Sequence, residues 1–319
     1  MFKRTKVAAL AALAAVGAVA LAACGTSVNS SATGNSTHPG WPSTITIGSI
    51  PAENAAQLQE SLQPVAKMIT KKLGVQVKTF AGTSYAALIE AQKAHKVDLV
   101  EYGPLSYYIA QNQKIGIENV GILVQSATDN GNYNSIGWAN ASQTSVKSLK
   151  DFAGKKTCFV DPASTSGYLF PSYGLQKAGV NPTSGVKPVF AGAHDASLEA
   201  IAKGTCQVGF TESVPVVQQL ESSGKVKASQ IRKVWESPVI PGSPIAVSTN
   251  LPASFRSALE NVLDNDANVP QLVKAGFCSS ASSCESTLGM WGFKPPSVAN
   301  YAVITQVCNE TKSVSCTKP

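Results

Sequence analysis

Lys156-Thr-Cys-Phe-Val160, then Asp161-Pro-Ala-Ser-Thr-Ser-Gly167, then Tyr168-Leu-Phe-Pro-Ser-Tyr-Gly-Leu-Gln-Lys-Ala178 form one uninterrupted stretch, and its reading decides the fold. β-Branched and aromatic residues dominate the first segment, which reads as a strand. Pro, Ser, Thr and Gly fill the second, which reads as a loop. Apolar residues then recur at helical spacing, which predicts a helix from Gly167 to Ala178. A strand feeding a helix through a polar loop is half of a βαβ unit.

Working outward, a short helix is expected over Ser145 to Phe152 with Ser145 as cap. Strands are expected over Val186 to Phe190 and Cys206 to Phe210, with a helix from Ala196 to Gly204 between them. The same grammar holds upstream. Thr44 to Ile50, Val75 to Phe80 and Val97 to Tyr102 read as strands, separated by a helix ending at Lys72 before Gly74 and by a helix over Tyr85 to Lys93. Lys233 to Ser237 and Ile245 to Ser248 read as strands returning the chain to the first unit, where Ser254 to Ala267 packs as a helix. The expectation is an α/β fold of two lobes, with two mostly parallel sheets joined by a two-strand hinge. Lobe 1 takes residues 44–138 and 238–319, and lobe 2 takes 139–237.

The N-terminus has a different character. Lys3, Arg4 and Lys6 precede an apolar run from Val7 to Ala23, the pattern of an export signal over residues 1–23. Leu21-Ala22-Ala23-Cys24 looks like a bacterial lipobox, which implies cleavage before Cys24 and acylation of its sulfur. Two or three acyl chains hold a protein at a membrane firmly. Residues 24–43, rich in Ser, Thr, Asn and Gly, are expected to be a flexible tether.

Composition narrows the function. With 44% hydrophobic and only 14% charged residues, the chain after the leader reads as a globular body. Three basic residues belong to the leader, which leaves 23 basic against 19 acidic. That bias is weak, and no Lys/Arg block interleaves with aromatics, so a nucleic-acid partner is not expected. Cys158, Cys206, Cys278, Cys284, Cys308 and Cys316 form an even set suited to disulfides in an exported chain. Fifteen connectivities are open to six cysteines; proximity and element order favour Cys158–Cys206, Cys278–Cys284 and Cys308–Cys316. No Cys/His spacing of metal-ligand type occurs, so neither a metal nor a cofactor is expected.

Open parallel sheets bind ligands beyond the carboxyl ends of their strands. Four loops there carry polar groups suited to an oxyanion: Gly82 to Tyr85, Asp161 to Gly167, Ala191 to His194, and Thr211 to Ser213. The most informative holds Ser164, Thr165 and Ser166 where a helix opens, because a helix start offers unpaired N–H groups and the positive end of its dipole. One hydroxyl is explained by capping. Three are not.

Asp161-Pro-Ala-Ser-Thr-Ser-Gly-Tyr-Leu-Phe-Pro171, Ala191-Gly-Ala-His194 and Ser237-Pro-Val-Ile-Pro-Gly242, in that order, closely resemble the phosphonate-binding (PhnD-like) subunits of ABC transporters. The likeness extends upstream through Ser84-Tyr85 and Val97-Asp-Leu-Val-Glu-Tyr-Gly103. It implies a two-lobed periplasmic-binding-protein fold, type II-like, that closes on a phosphonate, phosphite or phosphate. It also implies a monomer outside the cytoplasm that delivers to an ABC permease. Carried over by position, Ser164, Thr165, Ser166 and His194 match the residues that hold the ligand oxygens. Tyr85 and Tyr133 match two pocket tyrosines, and Glu212 an acid that meets a ligand amino group. Ser243 stands where aminophosphonate binders carry Asp, so Ser243, with Tyr102, is expected to bear on selectivity. Losing a second carboxylate points away from an ammonium-bearing ligand. Glu212 beside an anion needs a proton between them, which a ligand P–OH would supply, and His194 is expected to bind best when protonated.

Two rival readings use the same residues. Receptors for thiamine-precursor pyrimidines share this fold. A hydrolase would cast Ser164 or Ser166, His194 and Glu212 as nucleophile, base and orienting acid, although no Gly-x-Ser-x-Gly elbow surrounds either serine.

Overall fold

The computed structural model describes residues 38–50, 59–212 and 220–316. The expected leader, Cys24, most of the tether and Ser213 lie outside the described residues.

Strand β1 (Thr44–Ser49) is followed by helix α1 (Gln63–Leu73). Val65, Met68, Ile69 and Leu73 fall on one face of α1 at i, i+3, i+4 and i+8, and all four are buried, whereas Lys67, Lys71 and Lys72 are exposed. Gly74 ends the helix in the left-handed region at φ 66°, giving its N–H to the Thr70 carbonyl at 3.0 Å. Strands β2 (Gln76–Ala81) and β3 (Leu99–Glu101) then lie parallel on either side of β1, with α2 (Tyr85–Lys93) between them in sequence. Helix α3 (Pro104–Asn112) leads to β4 (Ile117–Val124).

The second sheet contains β5 (Ser135–Asn140), β6 (Lys156–Phe159), β7 (Lys187–Phe190), β8 (Val208–Glu212) and β9 (Ile231–Glu236), in the order β7-β6-β8-β5-β9. Its helices are α4 (Phe170–Lys177) and α5 (His194–Ala202). The chain returns through β10 (Pro244–Ser248) and adds α6 (Ala253–Asn265), α7 (Val269–Lys274), α8 (Ala281–Leu288), β11 (Gly292–Lys294) and α9 (Ala302–Thr311). The first sheet runs β11-β4-β10-β3-β1-β2.

Both sheets are mixed rather than mostly parallel. Each has three parallel strands, the βα units legible in sequence, and antiparallel strands where the chain crosses between lobes. A parallel pair needs a crossover element, and the crossing segments have none. β4 neighbours β10 in one sheet and β5 neighbours β9 in the other, so residues 125–134 and 237–243 run side by side between them. They are bridged midway: the N–H of Tyr133 donates to the Ile240 carbonyl at 3.0 Å, and the N–H of Ile240 to the Tyr133 carbonyl at 2.8 Å. This is the two-strand hinge. Because β5 opens at Ser135, the boundary expected at residue 138 falls inside a strand.

Two local expectations shift. The short helix is a 3₁₀ turn over Leu149–Phe152, and Ser148 caps it in place of Ser145, paired reciprocally with Asp151. The helix foreseen from Gly167 is a π turn over Thr165–Leu169 that runs into α4.

One core lies under the first sheet, where Ile45 and Ile47 meet Met68, Ile69, Phe255, Leu259 and Leu263. Two more cover the faces of the second sheet. A further cluster joins the lobes, with Tyr85, Tyr102 and Leu105 packed against Val160, Ala163, Leu169 and Phe170. The disulfides are Cys158–Cys206, Cys278–Cys284 and Cys308–Cys316. No helix among the described residues is long and apolar enough to cross a membrane.

Candidate ligand-binding cleft

The interlobe cluster is apolar except where the loop after β6 enters it. Asp161 turns this loop: its carboxylate accepts the Ala163 N–H at 2.8 Å, and its carbonyl accepts the Ser164 N–H at 2.9 Å. The turn that follows is wide, closed by the Leu169 N–H on the Ser164 carbonyl at 3.1 Å, five residues apart. It sits hard against β6, since a Cβ on Gly167 would lie 2.3 Å from the Val160 Cβ. Only glycine allows that approach.

Ser164, Thr165 and Ser166 are all buried, and two of their hydroxyls already accept a bond from the protein. The Gly167 N–H donates to Ser164 Oγ at 3.0 Å, and the Leu105 N–H donates to Thr165 Oγ1 at 2.8 Å. A hydroxyl whose oxygen accepts from the protein still has its proton to give. Ser166 is held by its backbone, because Ser135 Oγ donates to its carbonyl at 2.6 Å.

His194 opens α5, two residues before the expected helix start, and is buried. Its Nδ1 accepts the backbone N–H of Glu212 at 2.9 Å, which places the proton of the neutral ring on Nε2. Burial pushes the imidazolium down to about 3, so the ring is a neutral donor. The expectation of a protonated His194 is corrected here: desolvation by burial outweighs the carboxylate of Glu212 nearby. Glu212 Oε2 is 3.9 Å from Nε2, beyond a hydrogen bond.

The phenols complete the group. Burial holds Tyr85 and Tyr133 well above the ordinary range, and the carboxylate of Glu212 acts on both in the same direction. Tyr133 lies within hydrogen-bonding reach of Thr165 and Ser166. Tyr85 lies beside Ser164 without a bond of good geometry, and its hydroxyl and that of Tyr102 are buried without a hydrogen-bond partner. Tyr102 takes its place through its N–H, which donates to the Pro244 carbonyl at 3.0 Å, next to half-buried Ser243. The largest charges acting on the two phenols are the carboxylates of Glu212, for both, and Asp161, for Tyr85. Among the described residues no cluster of His, Cys, Asp or Glu could hold a metal.

Two participants escaped the sequence reading. The Leu105 N–H comes from the start of α3, a helix whose cap position is Gly103 and which therefore has no side-chain cap of its own. Thr165, from the other lobe, supplies it. The Asp161 carboxylate likewise lies beside the Tyr85 N–H at the start of α2. Gly103-Pro104 directly after a strand was the available signal, since Pro at a first helical turn marks a helix start.

A family model described as "ABC transporter, phosphonate, periplasmic substrate-binding protein" matches residues 47–301. The chain is 36% identical to the "Phosphate-import protein PhnD" of Mycolicibacterium smegmatis over 88% of this chain and 90% of that one. Among solved structures it is similar to a binding-protein component of an ABC phosphonate transporter from Pseudomonas aeruginosa, with TM-score 0.72, 25% identity, and 84% and 86% of the two chains covered. It also shares its fold with PhnD1 of Prochlorococcus marinus in complex with methylphosphonate, with TM-score 0.69, 22% identity, and 85% and 99% covered.

Proposed function

The chain belongs to the family of periplasmic substrate-binding proteins of phosphonate ABC transporters, and from that premise we propose that its cleft captures a small phosphorus oxyanion without an amino group: phosphate, phosphite or a short alkylphosphonate. Ser164, Thr165, Ser166, Tyr85, Tyr133 and His194 are its ligand donors. The carrying observation is that Ser164, Thr165 and His194 each accept a backbone N–H, which orients them and leaves each with a proton to donate. An oxyanion, rich in lone pairs, is the ligand such a lining fits. Tyr102 and Ser243, adjacent at the end of β3, bear on what else the ligand carries. The name of the Mycolicibacterium relative, phosphate import, agrees with a ligand that has no amino group.

The geometry favours binding over catalysis. A Ser-His-acid relay needs an Nδ1–H on the acid's carboxylate, whereas Nδ1 of His194 accepts the backbone N–H of Glu212. The protein works as a monomer, held outside the cytoplasmic membrane by lipid on Cys24, and hands its ligand to the importer's permease.

Calorimetric titration with phosphate, phosphite, methylphosphonate and 2-aminoethylphosphonate tests the ligand class. We expect one of the first three to bind most tightly. Clear preference for 2-aminoethylphosphonate would overturn the reading.

A further inference from the structure

The cleft is lined mainly by groups with a proton to donate, and the carboxylate of Glu212 enters among them. Ser164 and Thr165 have their oxygens engaged by the N–H groups of Gly167 and Leu105, and His194 has its Nδ1 engaged by that of Glu212. The side chain of Glu212 enters the same group, 3.9 Å from His194 Nε2 and close enough to Tyr85 and Tyr133 to act on both phenols. Asp161 adds a second negative charge beside Tyr85.

A fully ionised tetrahedral anion placed here satisfies the donors but meets Glu212 charge against charge. A singly protonated one satisfies the donors and gives its P–OH to the carboxylate. We propose that Glu212 is a proton reader: the site selects a phosphorus oxyanion that still carries one proton, and rejects sulfate and sulfonates of the same shape, which carry none at neutral pH. This rests on the phosphorus-oxyanion reading above and specifies its ionisation state. Specificity of this kind works by repulsion of the wrong ligand as much as by attraction of the right one.

Glu212 lies beside His194 from α5 and acts on Tyr85 from α2 and Tyr133 from the hinge, while Asp161 from the loop after β6 acts on Tyr85. His194 titrates near 3 and both phenols lie above their ordinary range, so between pH 6 and 8.5 these three groups do not titrate and the ligand does.

The test is calorimetric titration of the purified protein with methylphosphonate, phosphate, methanesulfonate and sulfate at pH 6 and pH 8.5, repeated with Glu212→Gln. Methylphosphonate or phosphate should exceed its sulfur counterpart by about 100-fold or more, because a site built around one hydrogen bond strongly rejects the analogue lacking it. Its affinity should fall as pH rises through the ligand's second ionisation. Glu212→Gln should shrink the phosphorus-to-sulfur ratio at least tenfold and flatten the pH dependence. Methanesulfonate binding within tenfold of methylphosphonate in the unmutated protein would sink the proton reader and leave the oxyanion class standing. An unmutated affinity that rises with pH would do the same, and needs no variant. If neither phosphorus anion binds, the class itself falls and takes this inference with it.

Discussion

At the residue scale, the three hydroxyls of the cleft are not equivalent. Ser164 caps the turn through Gly167, whereas no such bond ties the Ser166 side chain to a backbone N–H. Ser164→Ala should therefore weaken oxyanion binding and also lower stability by about 1 kcal/mol, the usual cost of a lost cap. Ser166→Ala should weaken binding about ten- to a hundredfold at nearly unchanged melting temperature. Equal melting temperatures for the two variants would refute the distinction. His194 gives a second prediction, with a definite sign. Its ordinary value is 6.5 and its folded value about 3, so the unfolded chain takes up the proton more readily between those limits. Stability is complete above about pH 6.5 and declines as pH falls toward 3, by up to about 1.4 kcal/mol per unit. Burial raises Asp98, Asp161 and Asp195, which titrate with the opposite sign, so the comparison is against His194→Gln, which keeps an acceptor for the Glu212 N–H. Urea midpoints of the two proteins should converge on acidification from pH 6.5. Parallel curves would show that His194 is not the buried neutral donor. The sequence revealed that a histidine was there, but its ionisation depended on burial and its tautomer on the bond from Glu212, eighteen residues away.

At the scale of elements, legibility followed locality. Helix α2 was read to the residue, and α1 ended where Gly74 said it would, because cap and periodicity are local signals. β4 and β5 escaped notice. Residues 125–134 are dense in Asn, Asp and Gly, and the partners of β5 lie about 70 to 100 residues downstream. The π turn was missed for a related reason: nothing in Thr165 to Leu169 specifies a bond five residues long until Val160 and Ser164 fix both of its ends. This turn supplies a third prediction. In Gly167→Ala the new methyl meets the Val160 Cβ itself, 2.3 Å away, so the turn must move rather than a side chain swing aside. Overpacking of this kind costs roughly 1–3 kcal/mol. The variant should lose stability and oxyanion affinity together, and Val160→Ala should not rescue it, because alanine keeps the offending atom. Recovery in Gly167→Ala/Val160→Ala would show that the contact is with the flexible end of Val160 and that the turn is not pinned to β6.

For the whole molecule, attachment and closure are separate properties with separate tests. Cys24→Ala should move the protein from the membrane fraction to the soluble one, since an acyl group is the attachment proposed; continued membrane association would refute it. Closure rests on the crossing ribbon and on two contacts between the lobes. Gly131, at φ +75°, packs against Gly242 where the two crossing segments meet. The contacts are made at helix starts: Thr165 accepts the Leu105 N–H of α3, and the Asp161 carboxylate lies beside the Tyr85 N–H of α2. First-turn N–H groups have no partner within their own helix, so when the lobes part these two return to water. Ligand and protein thus draw the lobes together jointly, and a ligand's apparent affinity scales with the population of the closed form. Asp161 separates the two contributions, since it acts on a backbone N–H rather than as a proposed ligand donor. Asp161→Ala removes the cross-lobe acceptor and should weaken phosphate or methylphosphonate binding roughly three- to thirtyfold, with a larger radius of gyration by small-angle scattering at subsaturating ligand. Asp161→Asn keeps an acceptor oxygen for Tyr85 and should close and bind nearly as the unmutated protein does. If Asp161→Ala binds and closes normally, the trans cap on α2 does not contribute to closure, and the closed form is held by the ligand, Thr165 and the apolar cluster alone.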